Sequence, residues 1–280
     1  QALLEANAKV DVKDKNDVTA LMWAALRDSA NVAKLLLAAR AKVNAFGEHA
    51  AEPLVYAARS GGSAVAQLLI KAKARVTAKD DREMTALVWA VMERNDACVR
   101  VLIDARAPLY DDARSNRLPP LLAAADAGSE TSALALLQAG ADVNAQGQRE
   151  RTALIAAVQR GHTAIAKALV DAQADVDLRD RDGRTALWFA ALHSHVDIVS
   201  LLISARADVN IRDETKEKNS VVMMATNGSI VGMLLDASAS VDTVDEHSRT
   251  PLMTAVLIHD EPLVRAYLEG ILRQHSRGNE

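Results

Sequence analysis

The chain has 280 residues, half of them apolar, and a net charge of −4. That composition excludes both a disordered and a membrane-spanning chain, and no apolar run reaches the ~18 residues of a transmembrane candidate. The acidic balance argues against a general nucleic-acid binder, which is usually basic, and the single cysteine, Cys98, excludes an intrachain disulfide framework.

In chain order, residues 1–13 read as the second half of a repeat, a partial unit whose start has been trimmed. Leu3 and Leu4 are expected to pack against sequence upstream, and left uncapped they offer a route to pairing between chains. An Ala-x-Ala triplet following a leucine-rich run then recurs. Its copies are Ala6-Asn7-Ala8, Ala39-Arg40-Ala41, Ala72-Lys73-Ala74, Ala105-Arg106-Ala107, Ala139-Gly140-Ala141, Ala172-Gln173-Ala174, Ala205-Arg206-Ala207 and Ala237-Ser238-Ala239. The first alanines lie 33, 33, 33, 34, 33, 33 and 32 residues apart. A fixed period in this range is the signature of stacked structural units.

The cleanest copy spans 180–213, "DRDGRTALWFAALHSHVDIVSLLISARADVNIRD". Asp180 to Gly183 is turn chemistry: aspartate braces local backbone and glycine takes positive φ freely. Thr185 is placed to cap a short helix, "ALWFAALH", by accepting a backbone N–H. Val196 to Ser204 reads as a second helix, with Ile198, Val199, Leu201 and Leu202 at helical spacing. The triplet ends that helix, and "DVN" leads to the next turn.

These units resemble the ankyrin repeat, whose pattern is a β-turn and two antiparallel helices with a T-P-L-H-x-A core. Matching cores are "TALMWAA" (19–25), "EPLVYAA" (52–58), "TALVWAV" (85–91), "PPLLAAA" (119–125), "TALIAAV" (152–158), "TALWFAA" (185–191), "SVVMMAT" (220–226) and "TPLMTAV" (250–256). The resemblance implies an all-α solenoid of stacked helix-turn-helix units joined by β-turn and hairpin loops. The expected division is a partial repeat at 1–13, eight units over 14–272, and a polar tail at 273–280.

The departures from the pattern are specific. Its histidine slot holds Met22, Val55, Val88, Leu122, Ile155, Trp188, Met223 and Met253, so a polar inter-repeat contact becomes apolar. The triplet's middle residue, where a helix ends left-handed and glycine is favoured, is glycine only at Gly140. Pro119 and Pro120 suit the start of a helix. The loop at 213–220 is lengthened, and the inter-helix turn near Asn227-Gly228-Ser229 is expected to be shortened. Alanine pairs such as Ala24-Ala25 and Ala190-Ala191 let paired helices approach.

Candidate binding residues follow from one face of the first helix, which with the turns lines the concave surface of stacked repeats. That face carries Trp23, Leu26 and Arg27, then Tyr56, Arg59 and Ser60, then Trp89, Met92 and Glu93. Farther along it carries Arg160, and then Phe189, Leu192 and His193 beside Trp188. Trp23, Tyr56 and Trp89 recur 33 residues apart as a ladder, of a residue type that dominates binding hot spots. A second row is Arg151, Arg184 and Arg249 in equivalent turn slots, with Arg149 and Arg181 nearby; it would suit an acidic partner.

Catalytic signals are poor. His193 and His195 sit two apart and share no helix face. His162 and His195 fall where the family's histidine braces a turn. Cys98 falls in a core slot equivalent to Val32, Ile165 and Ile198. The acidic pairs Asp80-Asp81 and Asp111-Asp112 lie at turn starts. No cofactor, metal or catalytic residue is expected.

The reading is therefore a monomeric, non-catalytic scaffold that binds another protein along a concave groove, with neither nucleic acid nor membrane insertion involved. Narrower or rival versions are an inhibitor or immunity protein for one enzyme or toxin, and the targeting arm of an enzyme whose catalytic domain lies elsewhere. Arginine outnumbers lysine 22 to 11, which reads as a bacterial, GC-rich bias. The compartment stays open, with the cytoplasm favoured.

Overall fold

The structure, a computed structural model, describes residues 9–110 and 118–277. The expectations for Leu3, Leu4, most of the partial repeat and Asp111-Asp112 lie outside the described residues. Two compact units divide the chain, residues 1–142 and 143–280.

The first unit holds four helix pairs among its described residues. They are α1 (Ala20–Leu26) with α2 (Ala30–Ala38), α3 (Pro53–Ser60) with α4 (Ser63–Lys71), α5 (Ala86–Met92) with α6 (Asp96–Asp104), and α7 (Pro120–Ala127) with α8 (Glu130–Gln138). First helices pack side by side in the order α1, α3, α5, α7, and second helices in the order α2, α4, α6, α8. The second unit repeats the plan. Its pairs are α9 (Ala153–Gln159) with α10 (Thr163–Asp171), α11 (Ala186–Leu192) with α12 (Val196–Ser204), α13 (Val221–Met224) with α14 (Gly228–Asp236), and α15 (Pro251–Leu257) with α16 (Glu261–Arg277). The described residues contain helices and isolated bridges but no strand; Lys13–Thr19, Lys79–Thr85 and Arg212–Ser220 close turns in antiparallel fashion.

Local chemistry explains the boundaries. The hydroxyls of Thr19, Thr85, Thr152, Thr185 and Thr250 each accept the backbone N–H three residues on, at 3.2–3.3 Å, which satisfies an otherwise free helix-end donor. Second helices end at the triplet, where Arg40, Lys73, Arg106, Gln173, Arg206 and Ser238 take φ between 58° and 70° beside Gly140 at 84°. The left-handed cap expected from the repeat is therefore present, mostly without glycine.

A ladder of side chains ties successive repeats. Asn44, Asn144, Asp177 and Asn210 each accept a backbone N–H from the following repeat at 2.8–3.0 Å. In the core, the alanine pairs are buried, as are the histidine-slot residues Met22, Val55, Val88, Leu122, Ile155, Trp188 and Met223. Cys98 is fully buried, and burial pushes its thiol up to about 12.

Three expectations need correction. The short unit loses its residues from the helix, not from the turn: α13 has four residues where its neighbours have seven, while three residues, 225–227, still separate it from α14. A helix stripped of one turn keeps its first turn and its buried Val221, Val222 and Met223, whereas a shorter turn could not reverse the chain. Val32, grouped with core slots, is 49 % exposed, because it belongs to the first described pair, whose outer side meets no described repeat. Met253 is likewise 53 % exposed at the other end of its row.

Candidate functional site

Four repeats open with a turn held by one carboxylate. Oδ1 of Asp14, Asp80, Asp180 and Asp245 accepts two backbone N–H groups, from the residues two and four positions on. Oδ2 then engages either an indole or a guanidinium. Trp23 donates to Asp14 at 3.0 Å and Trp89 to Asp80 at 2.6 Å, while Arg184 and Arg249 donate to Asp180 and Asp245 at 2.8 and 2.7 Å. The aspartate nine residues before Trp23 and before Trp89 thus anchors the ring edge to the turn. Sequence reasoning missed this pairing, although the equal offset of Asp14/Trp23 and Asp80/Trp89 signals it.

The aromatic ladder is uneven in exposure. Trp23 is 41 % exposed, whereas Tyr56 and Trp89 are 7 % exposed, and Trp188 and Phe189 are also buried. Tyr56 reaches under its own loop: a Cβ on Gly47 would lie 2.9 Å from its hydroxyl and 2.6 Å from Met22 Sδ. Burial, ahead of a nearby Glu48 charge, raises the Tyr56 phenol. Beyond the ladder, Leu26 and Met92 expose 38 % and 42 % of their surface at the ends of α1 and α5.

Charged candidates divide the same way. Arg184 binds Asp180 and Asp182, and its guanidinium lies over Trp188 and Phe189 at 5.4 and 5.0 Å. Arg149 pairs with Asp182 at 2.7 Å and Arg249 with Asp245. Arg181 joins the neighbouring turn through its backbone, donating to Arg149 O, and Arg151 is half-buried. So the turn arginines Arg149, Arg184 and Arg249 already hold carboxylates of their own chain. By contrast, Arg27 and Arg59 are exposed with no ion pair among the described residues, and Arg59 lies 4.7 Å over the Trp89 ring. Glu93 is exposed one residue beyond Met92, and Arg160 is exposed at the end of α9.

His193 is exposed and stacks on Phe189 with centroids 6.5 Å apart. His195 packs against Gly161, where a Cβ would come within 3.0 Å of its ring, and burial together with His193 lowers its basicity. No group of three or more His, Cys, Asp or Glu side chains among the described residues is placed to hold a metal. No helix among them is long and apolar enough to cross a membrane.

Two features outside the predicted set stand out in the first unit. Glu52 occupies the capping slot that threonine holds in five other repeats, and it is almost fully buried. Its Oε1 meets Arg75, while its Oε2 has no hydrogen-bond partner. Phe46 is exposed, with the Arg75 guanidinium 5.3 Å over its ring.

The family profile described as ankyrin repeats matches at three overlapping places, residues 1–80, 54–147 and 121–213. Among solved structures, the human ASB11 ankyrin repeat domain superposes with a TM-score of 0.71 at 24% identity, covering 80% of this chain and 99% of that one. The ankyrin repeat domain of Bcl-3, a member of the IkappaB protein family, gives 0.68 at 23% identity, covering 79% and 99%. No curated protein sequence matches the chain.

Proposed function

The chain belongs to the ankyrin-repeat family, whose repeats are typically protein–protein interaction modules, and from that premise we propose that it is a non-catalytic module binding another protein along its first-helix face. Within residues 1–142 the contact residues are Trp23, Leu26, Arg27, Arg59, Met92 and Glu93. The observation that carries this reading is the exposure of three large apolar side chains, Trp23 and Leu26 on α1 and Met92 on α5. Clustered apolar surface rimmed by charge marks interaction sites on soluble proteins. Trp23 is the natural anchor. Its indole edge is fixed by Asp14, so little rotamer freedom remains to be lost on binding. Tyr56 and Trp89 act from beneath, holding that face in shape.

The test is affinity capture from a lysate of the source cells. Wild type is compared with a Trp23→Ala, Leu26→Ala, Met92→Ala variant whose helicity and unfolding midpoint are unchanged. A protein retained by the wild type and lost by the folded variant is the expected result. Equal retention by both sinks the reading. A captured enzyme or toxin whose activity falls on binding would narrow the function to inhibition or immunity.

A further inference from the structure

We propose that the partner of this face presents an acidic, amphipathic segment, and that Arg59 is a preorganised carboxylate anchor with Arg27 as its second contact. The inference rests on the binding reading above and adds the chemistry of the partner. The turn arginines look like the anion-binding row in sequence, but Arg149, Arg184 and Arg249 are neutralised by Asp182, by Asp180 with Asp182, and by Asp245 respectively. Arg75 is likewise held by Glu52. On the first-helix face the balance differs. Arg27 and Arg59 lie at the ends of adjacent helices, α1 and α3, both exposed and both without an ion pair among the described residues.

Arg59 is also positioned. Its guanidinium lies 4.7 Å over the Trp89 ring, and Trp89 is itself locked by a 2.6 Å hydrogen bond to the buried Asp80. A guanidinium held over an aromatic ring still has N–H groups to offer a carboxylate in bidentate contact, and part of its rotamer entropy is already spent. Neighbouring packed helices lie about 8–10 Å apart, so carboxylates one or two turns apart on a bound helix match the two arginines. Trp23 and Leu26 on one side and Met92 on the other supply the apolar strip that an amphipathic segment covers. Glu93, exposed next to Met92, sets polarity: the acidic end of the segment lies over α1 and α3, and its other end tolerates a basic residue.

The experiment is a selection from a random-peptide phage library on the immobilised full chain, followed by affinity measurement on synthetic copies of the selected peptides. The expected peptides are enriched in Asp and Glu beside aromatic or aliphatic residues. They weaken about tenfold against R27Q/R59Q and show affinity that falls with added salt. Against Arg59→Lys, which keeps the charge but not the bidentate fork, they weaken by a smaller factor. A selection that yields no acidic enrichment or no binders, or peptides indifferent to R27Q/R59Q, overturns the proposal. Peptides indifferent to the charge change but lost against the Trp23→Ala, Leu26→Ala, Met92→Ala variant contradict the acidic partner alone. Peptides that bind that apolar variant as well as wild type contradict the binding face itself.

Discussion

Glu52→Thr is expected to stabilise the protein. Glu52 caps nothing: α3 starts after it with no side-chain hydrogen bond to its first turn, and one of its buried carboxylate oxygens has no partner. The same chain shows what threonine does there, since Thr250 precedes Pro251 as Glu52 precedes Pro53 and accepts the Met253 N–H at 3.3 Å. A threonine N-cap contributes about 1 kcal/mol. Removing a buried acceptor with no donor relieves about 1–3 kcal/mol, and the lost packing of the longer side chain costs about 1 kcal/mol. Arg75 is half-exposed and stays solvated when its partner goes, so the expected gain is about 1–3 kcal/mol.

The gain depends on pH. Burial raises the Glu52 carboxyl above its ordinary value, with Arg75 offsetting only part of the shift. The folded state then holds the proton more tightly than the unfolded chain. Stability from this group therefore falls as pH rises through the folded pKa, and the penalty is complete above it. Urea unfolding of both proteins at neutral pH and in mild acid checks this. The threonine variant should be more stable at neutrality, by a margin that narrows on acidification toward the ordinary glutamate range. A less stable variant at neutral pH, or a margin that widens in acid, refutes the reasoning.

Other expectations concern the backbone and the lone thiol. Arg206→Gly should raise stability by about 1 kcal/mol in thermal melts, because φ at Arg206 is 65° and a side chain is strained there. Unchanged or lower stability would mean that the cap is relaxed by other contacts. Gly183→Ala should cost about 2 kcal/mol or more: φ is 75°, and a Cβ would meet the Glu214 backbone nitrogen at 2.7 Å, an atom that cannot swing aside. A denaturation midpoint equal to wild type would contradict that. Cys98, buried with its thiol raised to about 12, should resist a thiol-specific reagent in the native protein and react at once in denaturant. Prompt native labelling would show that α6 opens.

The repeat architecture was legible in the sequence because each unit carries its own punctuation. The threonine caps, the triplet caps and the alanine pairs all lie where local chemistry places them, and even the strained Arg40 and Lys73 take the left-handed φ expected of their slots. The binding face was legible only in part. Spacing puts Trp23, Tyr56 and Trp89 in one row, but depth depends on what covers each ring. Gly47 leaves room for Tyr56 to tuck under a loop, whereas Trp23 stays half open. Charge availability was hidden for a similar reason. The turn arginines and the first-helix arginines look alike as residues, and only the Asp180, Asp182 and Asp245 contacts separate the neutralised ones from Arg27 and Arg59. Glu52 was invisible as an anomaly, because an N-terminal glutamate normally faces solvent and favours the helix dipole.

The central claim is that a protein partner sits on the first-helix face of residues 1–142. The most direct measurement places a photo-crosslinking amino acid singly at Leu26, Ser60 or Met92, and as controls at the exposed second-helix positions Lys34 and Arg100. Irradiation in lysate of the source cells should join one and the same protein to the first three positions and to neither control. Crosslinks arising equally from the second helices, or from them alone, would contradict the account.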